Sequence, residues 1–182
     1  VVWWGAVVGA LSVVVASAAL TSSAVARVPV ARCPAGALRL TIGGVVVPKT
    51  QQTPLLLALV NQGATTCTID GYPRLRLESQ VGSRYPFAYR DRGDQEVTGR
   101  SPRRVTLRPG AVAWVMINKN HCVFHTSLRK GVANRLELSP PGSSALLRIA
   151  LGRRQPTYEY CAAPDPGHYV DVSPVESSAA AA

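Results

Sequence analysis

Residues 55–73 read LLLALVNQGATTCTIDGYP, and this stretch decides the architecture. Leu55 to Val60 is apolar throughout and leaves no side for water. A run this short and this dry reads as a central strand covered on both faces. Asn61 and Gly63 then break it, with the asparagine side chain suited to cap the turn. Cys67-Thr68-Ile69 continues as a second strand, and Gly71-Tyr72-Pro73 turns the chain out of it. Tyr72 is placed to bury its ring and to hydrogen-bond through its hydroxyl.

The same grammar runs outward in both directions. Leu38, Leu40 and Ile42 alternate with Arg39 and Thr41. Leu75 and Leu77 alternate with Arg74, Arg76 and Glu78. Val105 and Leu107, Leu136 and Leu138, and Val170 and Val172 repeat the pattern, the last pair around Asp171. Each predicts a strand with one wet and one buried face. Ala111 to Ile117 is a second doubly apolar run, and Leu146 to Leu151, interrupted by Arg148, is a third. Glycine- and proline-rich turns separate the runs, and no stretch past residue 26 has helical period. Eight or nine short strands at this spacing predict an all-β, immunoglobulin-like antiparallel sandwich over residues 27–175. Asp91 to Arg103 reads as a long exposed loop, and 176–182, almost all Ser and Ala, as a disordered tail.

Val1 to Ala26 carries no charge. Its apolar run ends in Thr21-Ser22-Ser23 and then Ala24-Val25-Ala26, whose small residues suit a signal peptidase. Two readings stay open, a signal peptide cleaved after Ala26 or an uncleaved membrane anchor of about 20 apolar residues. A basic leader and an initiator Met are absent, so the start reads as truncated. Both readings put residues 27–182 outside the cytoplasm, secreted or anchored to the cell membrane. Arg32 directly before Cys33 does not suit a lipid-attachment signal.

The formal net charge of +10 falls entirely after Ala26 and is mostly arginine. Arg100, Arg103, Arg104 and Arg108 form one group; Arg148, Arg153 and Arg154 form another. Such a surface attracts anionic lipid, glycan or protein. Arg- and Ala-rich, Lys-poor usage also follows from a GC-rich genome. Nucleic-acid readout would interleave aromatic residues with the arginines, and neither group does so.

Cys33, Cys67, Cys122 and Cys161 in an exported domain predict two disulfides. Of three connectivities, Cys33–Cys67 with Cys122–Cys161 keeps each bridge local. Each then closes a loop of about 30–40 residues, which chain entropy credits with about 3–4 kcal/mol. No C-x-x-C spacing occurs, which argues against structural zinc.

Taken together, Asn61-Gln62-Gly63, Cys67-Thr68-Ile69 and Gly71-Tyr72-Pro73 resemble the actinobacterial secreted and lipoprotein family catalogued as domain of unknown function 4232. Leu107-Arg108-Pro109-Gly110 with Ala113 resembles a further family segment. So do Leu136 to Pro141 after Cys122, and Val170 to Val175 after Cys161. The resemblance covers about residues 33–175. It implies an extracytoplasmic β-sandwich of the cell envelope and supplies no catalytic residues.

His121, Cys122 and His125, with His168 and Met116 elsewhere, suggest copper, but an oxidised Cys122 and one methionine fit it poorly. Asp91, Asp94 and Glu96 supply fewer oxygens than a calcium loop needs. Arg92-Gly93-Asp94 matches an adhesion tripeptide that arises readily by chance in such a chain. No G-x-S-x-G and no identifiable carboxylate pair point to a hydrolase. The expected function is therefore a non-catalytic envelope module without a cofactor, binding a protein or anionic envelope partner. Metal handling is the alternative, and secreted hydrolysis the second.

Overall fold

The computed structural model describes residues 1–2, 5, 29–44, 46–47, 51–123, 131–152, 155 and 157–182. The 1–26 segment read as a signal peptide or anchor, together with His125, Arg153 and Arg154, lies outside the described residues, apart from Val1, Val2 and Gly5. Among the described residues no helix is long and apolar enough to cross a membrane.

The alternating runs become strands: β1 Leu38–Gly44, β2 Leu55–Asn61, β3 Cys67–Ile69 and β4 Arg74–Glu78. Then come β5 Ala88–Arg90, β6 Val105–Leu107, β7 Val112–Lys119 and β8 Val132–Ala133. The last four are β9 Arg135–Ser139, β10 Leu147–Ala150, β11 Tyr158–Glu159 and β12 Tyr169–Val172. A five-stranded sheet has the order β1-β2-β7-β12-β5, and a three-stranded sheet the order β10-β9-β4. Two-stranded pairs, β3 with β6 and β8 with β11, complete it. The chain is all-β, as its periodicity predicts. One core joins the sheets: Leu57, Leu59, Val115 and Ile117 from one side, Leu77, Leu107, Leu136 and Leu138 from the other.

β2 and β7 lie inside the five-stranded sheet, as their dryness predicts. Leu56 and Met116, directly opposed on its outer face, pack with Val97 and Ala182 and against Val46 and Trp114. That roof makes two expectations fail. The 91–103 loop is exposed over much of its length, but Val97 is only 2% exposed. Asp94 holds the loop down: Oδ1 accepts the Glu96 and Val97 amides, and Oδ2 accepts Asn118 Nδ2 at 2.6 Å.

The 176–182 segment is likewise not a loose tail. Glu176 exchanges both backbone hydrogen bonds with Trp114, and the Ala182 carbonyl accepts from Thr98 N–H. Backbone pairing needs no large side chain, so Ser/Ala composition concealed it.

Two further expectations are corrected. Leu147–Ala150 is not a central strand but the edge strand β10, alternating half-buried and exposed. Asp171 does not face water; it is buried on β12 and paired with Arg90. The two- and three-residue strands β5, β8 and β11 are too short to carry a readable period.

Disulfides join Cys33 to Cys67 and Cys122 to Cys161, the sequential pairing. The first ties the 31–33 segment to β3, where Cys33 N–H donates to the Thr68 carbonyl at 2.9 Å. The second ties the end of β7 to the segment after β11. Both are bonds of an oxidising compartment.

Candidate functional site

Asn61 is fully buried and organises the turn after β2. Its Oδ1 accepts Gly63 N–H at 2.9 Å, and its Nδ2 donates to the carbonyls of Thr65 and Leu107. Pro109-Gly110 forms the turn before β7; Gly110 has φ +77° and donates to the Asn61 carbonyl at 2.7 Å. These residues are scaffold, joining the two halves of the motif.

Gly71-Tyr72-Pro73 leads elsewhere. Gly71 has φ +112°, a conformation that favours glycine, and its carbonyl accepts Val175 N–H. Pro73 is buried, while Tyr72 is half-buried and donates its hydroxyl to the Arg100 carbonyl at 3.2 Å. Burial raises the Tyr72 hydroxyl pKa, and nearby Asp91 and Glu176 add to it.

From there β4 runs along one wall of a cleft of about 720 Å³. The alternation of β4 turns Leu75 and Leu77 inward and leaves Arg74 and Arg76 exposed. The opposite wall is β5, with Tyr89 and Arg90, followed by Asp91; Val172 of β12 also lines the cleft. Arg74 Nη2 donates to the Ser143 carbonyl at 2.8 Å. An adjoining hollow of about 500 Å³ shares Tyr72, Arg74 and Ser144 and continues over Pro140 to Ser143.

Arg90 differs from the other two arginines. Its Nε donates to Asp171 Oδ1 at 3.1 Å, its Nη2 contacts Oδ2, and its guanidinium lies 4.4 Å above the Tyr169 ring centroid. Burial raises the Asp171 pKa despite the opposing effect of Arg90. The Tyr89 hydroxyl accepts Leu77 N–H at 2.8 Å, and burial holds its own proton well above the usual tyrosine range. The cleft is therefore walled by fixed groups, and among the described residues the exposed Arg74 and Arg76 have no acidic partner, so their charge can meet an anion.

The residues singled out from sequence are scattered. Arg100, Arg103, Arg104 and Arg108 are exposed and none lines the cleft; Arg100 bonds a residue that does, its carbonyl accepting from Tyr72. Arg148 pairs instead with the nearly buried Glu137, Nε to Oε1 at 2.6 Å. His121 is exposed; His168 Nδ1 lies 3.2 Å from the Cys161 carbonyl, and its ring packs edge-on against Tyr160 and Tyr169. Among the described residues no three His, Cys, Asp or Glu side chains cluster as metal ligands would. Arg74 and Arg76 were missed as site residues because Arg-Leu-Arg-Leu-Glu is indistinguishable from any strand with a wet face. The signal available was their position directly after Gly71-Tyr72-Pro73.

No curated protein and no solved structure matches the chain. A family model described as Domain of unknown function (DUF4232) matches residues 33–179, from the first disulfide cysteine into the roofing segment. Disulfide framework, two-part motif and family match thus coincide over most of the sequence, and the chain belongs to the DUF4232 family.

Proposed function

We propose that the domain is a non-catalytic binding module of the cell envelope, held outside the cytoplasm, whose Tyr72–Arg74–Arg76 cleft takes an acidic partner. The cleft carries this proposal: two exposed arginines and an amphipathic tyrosine border a concavity of about 720 Å³ on a chain of net charge +10. Cationic concavities focus field and raise the local concentration of anions. The two disulfides support an extracytoplasmic setting, and the uncharged 1–26 segment supports export or anchoring. Metal handling and hydrolysis have less behind them, since Cys122 is spent in a disulfide and His168 is engaged by its neighbours.

The experiment is retention of the full chain on immobilised acidic peptide across a salt gradient. Retention is expected to weaken as salt rises, and to be lost in the double variant Arg74→Glu, Arg76→Glu. Salt-independent behaviour, or equal retention of the variant, would sink the proposal.

A further inference from the structure

The wall formed by β4 is the outer edge of the three-stranded sheet, since β9 occupies the other side of β4. β4 pairs with β9 through Arg74↔Ser139, Leu75↔Leu138, Arg76↔Glu137, Leu77↔Leu136 and Glu78↔Arg135. In an antiparallel ladder alternate residues aim their N–H and C=O at the partner, and the residues between aim them away. Leu77 aims away from β9, because its N–H meets the Tyr89 hydroxyl and its carbonyl accepts Tyr85 N–H at 3.1 Å. Leu75 has the same phase, so its N–H and C=O also point off the open edge. Among the described residues neither group has a hydrogen-bond partner.

The gap is bounded on both sides. Beyond it in one direction the chain covers its own edge, through the Tyr85 bond and an antiparallel bridge between Glu78 and Arg84. In the other direction Val175 N–H is bonded to the Gly71 carbonyl. Between these closures the edge opens onto the cleft, with an unpaired donor and acceptor on one residue. Unpaired edges of this kind template the addition of another strand.

Resting on the acidic-partner proposal above, we infer that the cleft takes an extended acidic peptide segment of a partner protein as a short antiparallel strand against Leu75. The alternation of β4 dictates the partner's sequence. The residue opposite Leu75 shares its inward face and meets Leu75 and Val172, so it is apolar. Its two neighbours share the outward face of Arg74 and Arg76, so they are acidic. An acidic–apolar–acidic tripeptide matches the gap, spanning about 10 Å at 3.3 Å per residue. A lipid headgroup or a free phosphate would meet the arginines but leave the Leu75 donor–acceptor pair unmatched.

The test titrates the ¹⁵N-labelled full chain with acetyl-Ser-Glu-Val-Glu-Ser-amide to millimolar concentration, following amide shifts and hydrogen exchange. In the free chain the Leu75 amide should exchange faster than that of Arg76, which bonds to β9. Peptide should shift and protect the Leu75 amide. Methylating the valine nitrogen removes its bond to the Leu75 carbonyl and should weaken binding about tenfold. Arg74→Glu with Arg76→Glu should abolish binding, and the Lys-Val-Lys peptide should not bind. If methylation has no effect while charge reversal abolishes binding, strand addition is overturned and the acidic-partner proposal stands. If neither the acidic peptide nor its methylated form binds in a salt-sensitive way, both fall. A Leu75 amide already protected in the free chain overturns strand addition alone.

Discussion

The outer face of the five-stranded sheet carries Leu56, Trp114 and Met116 and is roofed by Val97, Val46 and Ala182. The outer face of the three-stranded sheet carries Arg74, Arg76, Arg135 and Arg148 around Glu78 and Glu137, and among the described residues no apolar cluster roofs it. Both sheets bury the same core on their inner faces. They differ in what the chain supplies for the outer one. A face written in apolar residues must be covered by the chain's own loops, and here two segments of unpromising composition do so. A face written in arginine stays open to water. Its acidic residues are drawn down among the arginines, so that Glu137 is only 3% exposed beneath a half-exposed Arg148. The cleft lies at the boundary, where β4 ends one sheet and β5 the other.

The sharpest test of that contrast compares Leu56→Ala with Arg76→Ala in denaturant unfolding. Removing a buried leucine side chain should cost about 2–5 kcal/mol. Removing the exposed arginine should change stability by less than about 0.5 kcal/mol. Equal effects would mean that the roof contributes nothing.

The next effect concerns Lys119, at the end of β7, 2% exposed and donating to the Asn120 carbonyl at 2.7 Å. Burial lowers its pKa from 10.5 to about 8, with Glu159 and Asp165 opposing. A lysine depressed in the folded state binds fewer protons there than in the unfolded chain between these values. Stability should therefore rise between pH 8 and 10, by on the order of 1–2 kcal/mol, and Lys119→Met should flatten the rise. Above pH 10 the raised pKa values of Tyr89 and Tyr158 act in the other direction, since the folded chain keeps those protons longer. A wild-type profile that is flat from pH 8 to 10 would contradict the burial of Lys119.

Val97→Ala probes the roof from the loop side. Two lost methyl groups should cost about 1.5 kcal/mol, and amide exchange at Thr98, which donates to Ala182, should quicken. An unchanged Thr98 amide would show that loop and terminal segment hold independently. The smallest stability effect is expected where the binding effect is largest. Arg74→Gln with Arg76→Gln, which removes the charges without setting a carboxylate opposite Glu137, should leave unfolding within about 0.5 kcal/mol of wild type while sharply weakening salt-sensitive retention. Substantial destabilisation would mean that these arginines serve the fold.

The comparison also explains which features could be read in advance. Hydrophobic periodicity reports one strand at a time, so β2, β7 and the alternating strands were legible. The doubly apolar runs even announced that something must cover β2 and β7. What covers them was not legible, because a lone Val97 in a polar loop and an alanine in a Ser/Ala segment carry no pattern. Leu146 to Leu151 misled because its apolar residues pack from an edge, where burial is half complete. Asp171 misled because its neutralising partner, Arg90, is 81 residues away in sequence.

The sequence by itself determined an all-β chain, its two central strands, its four-cysteine framework and its family, because strand period, dryness, cysteine count and turn motifs are local; of three disulfide pairings it favoured the one the structure shows. Only the tertiary structure decided that 91–103 and 176–182 roof one sheet, and that β4 meets β5 at an open seam. It alone left Leu75, beside Arg74 and Arg76, without a backbone partner among the described residues. Those outcomes depend on which distant segments the fold brings to each backbone edge, and no local pattern encodes an edge left open.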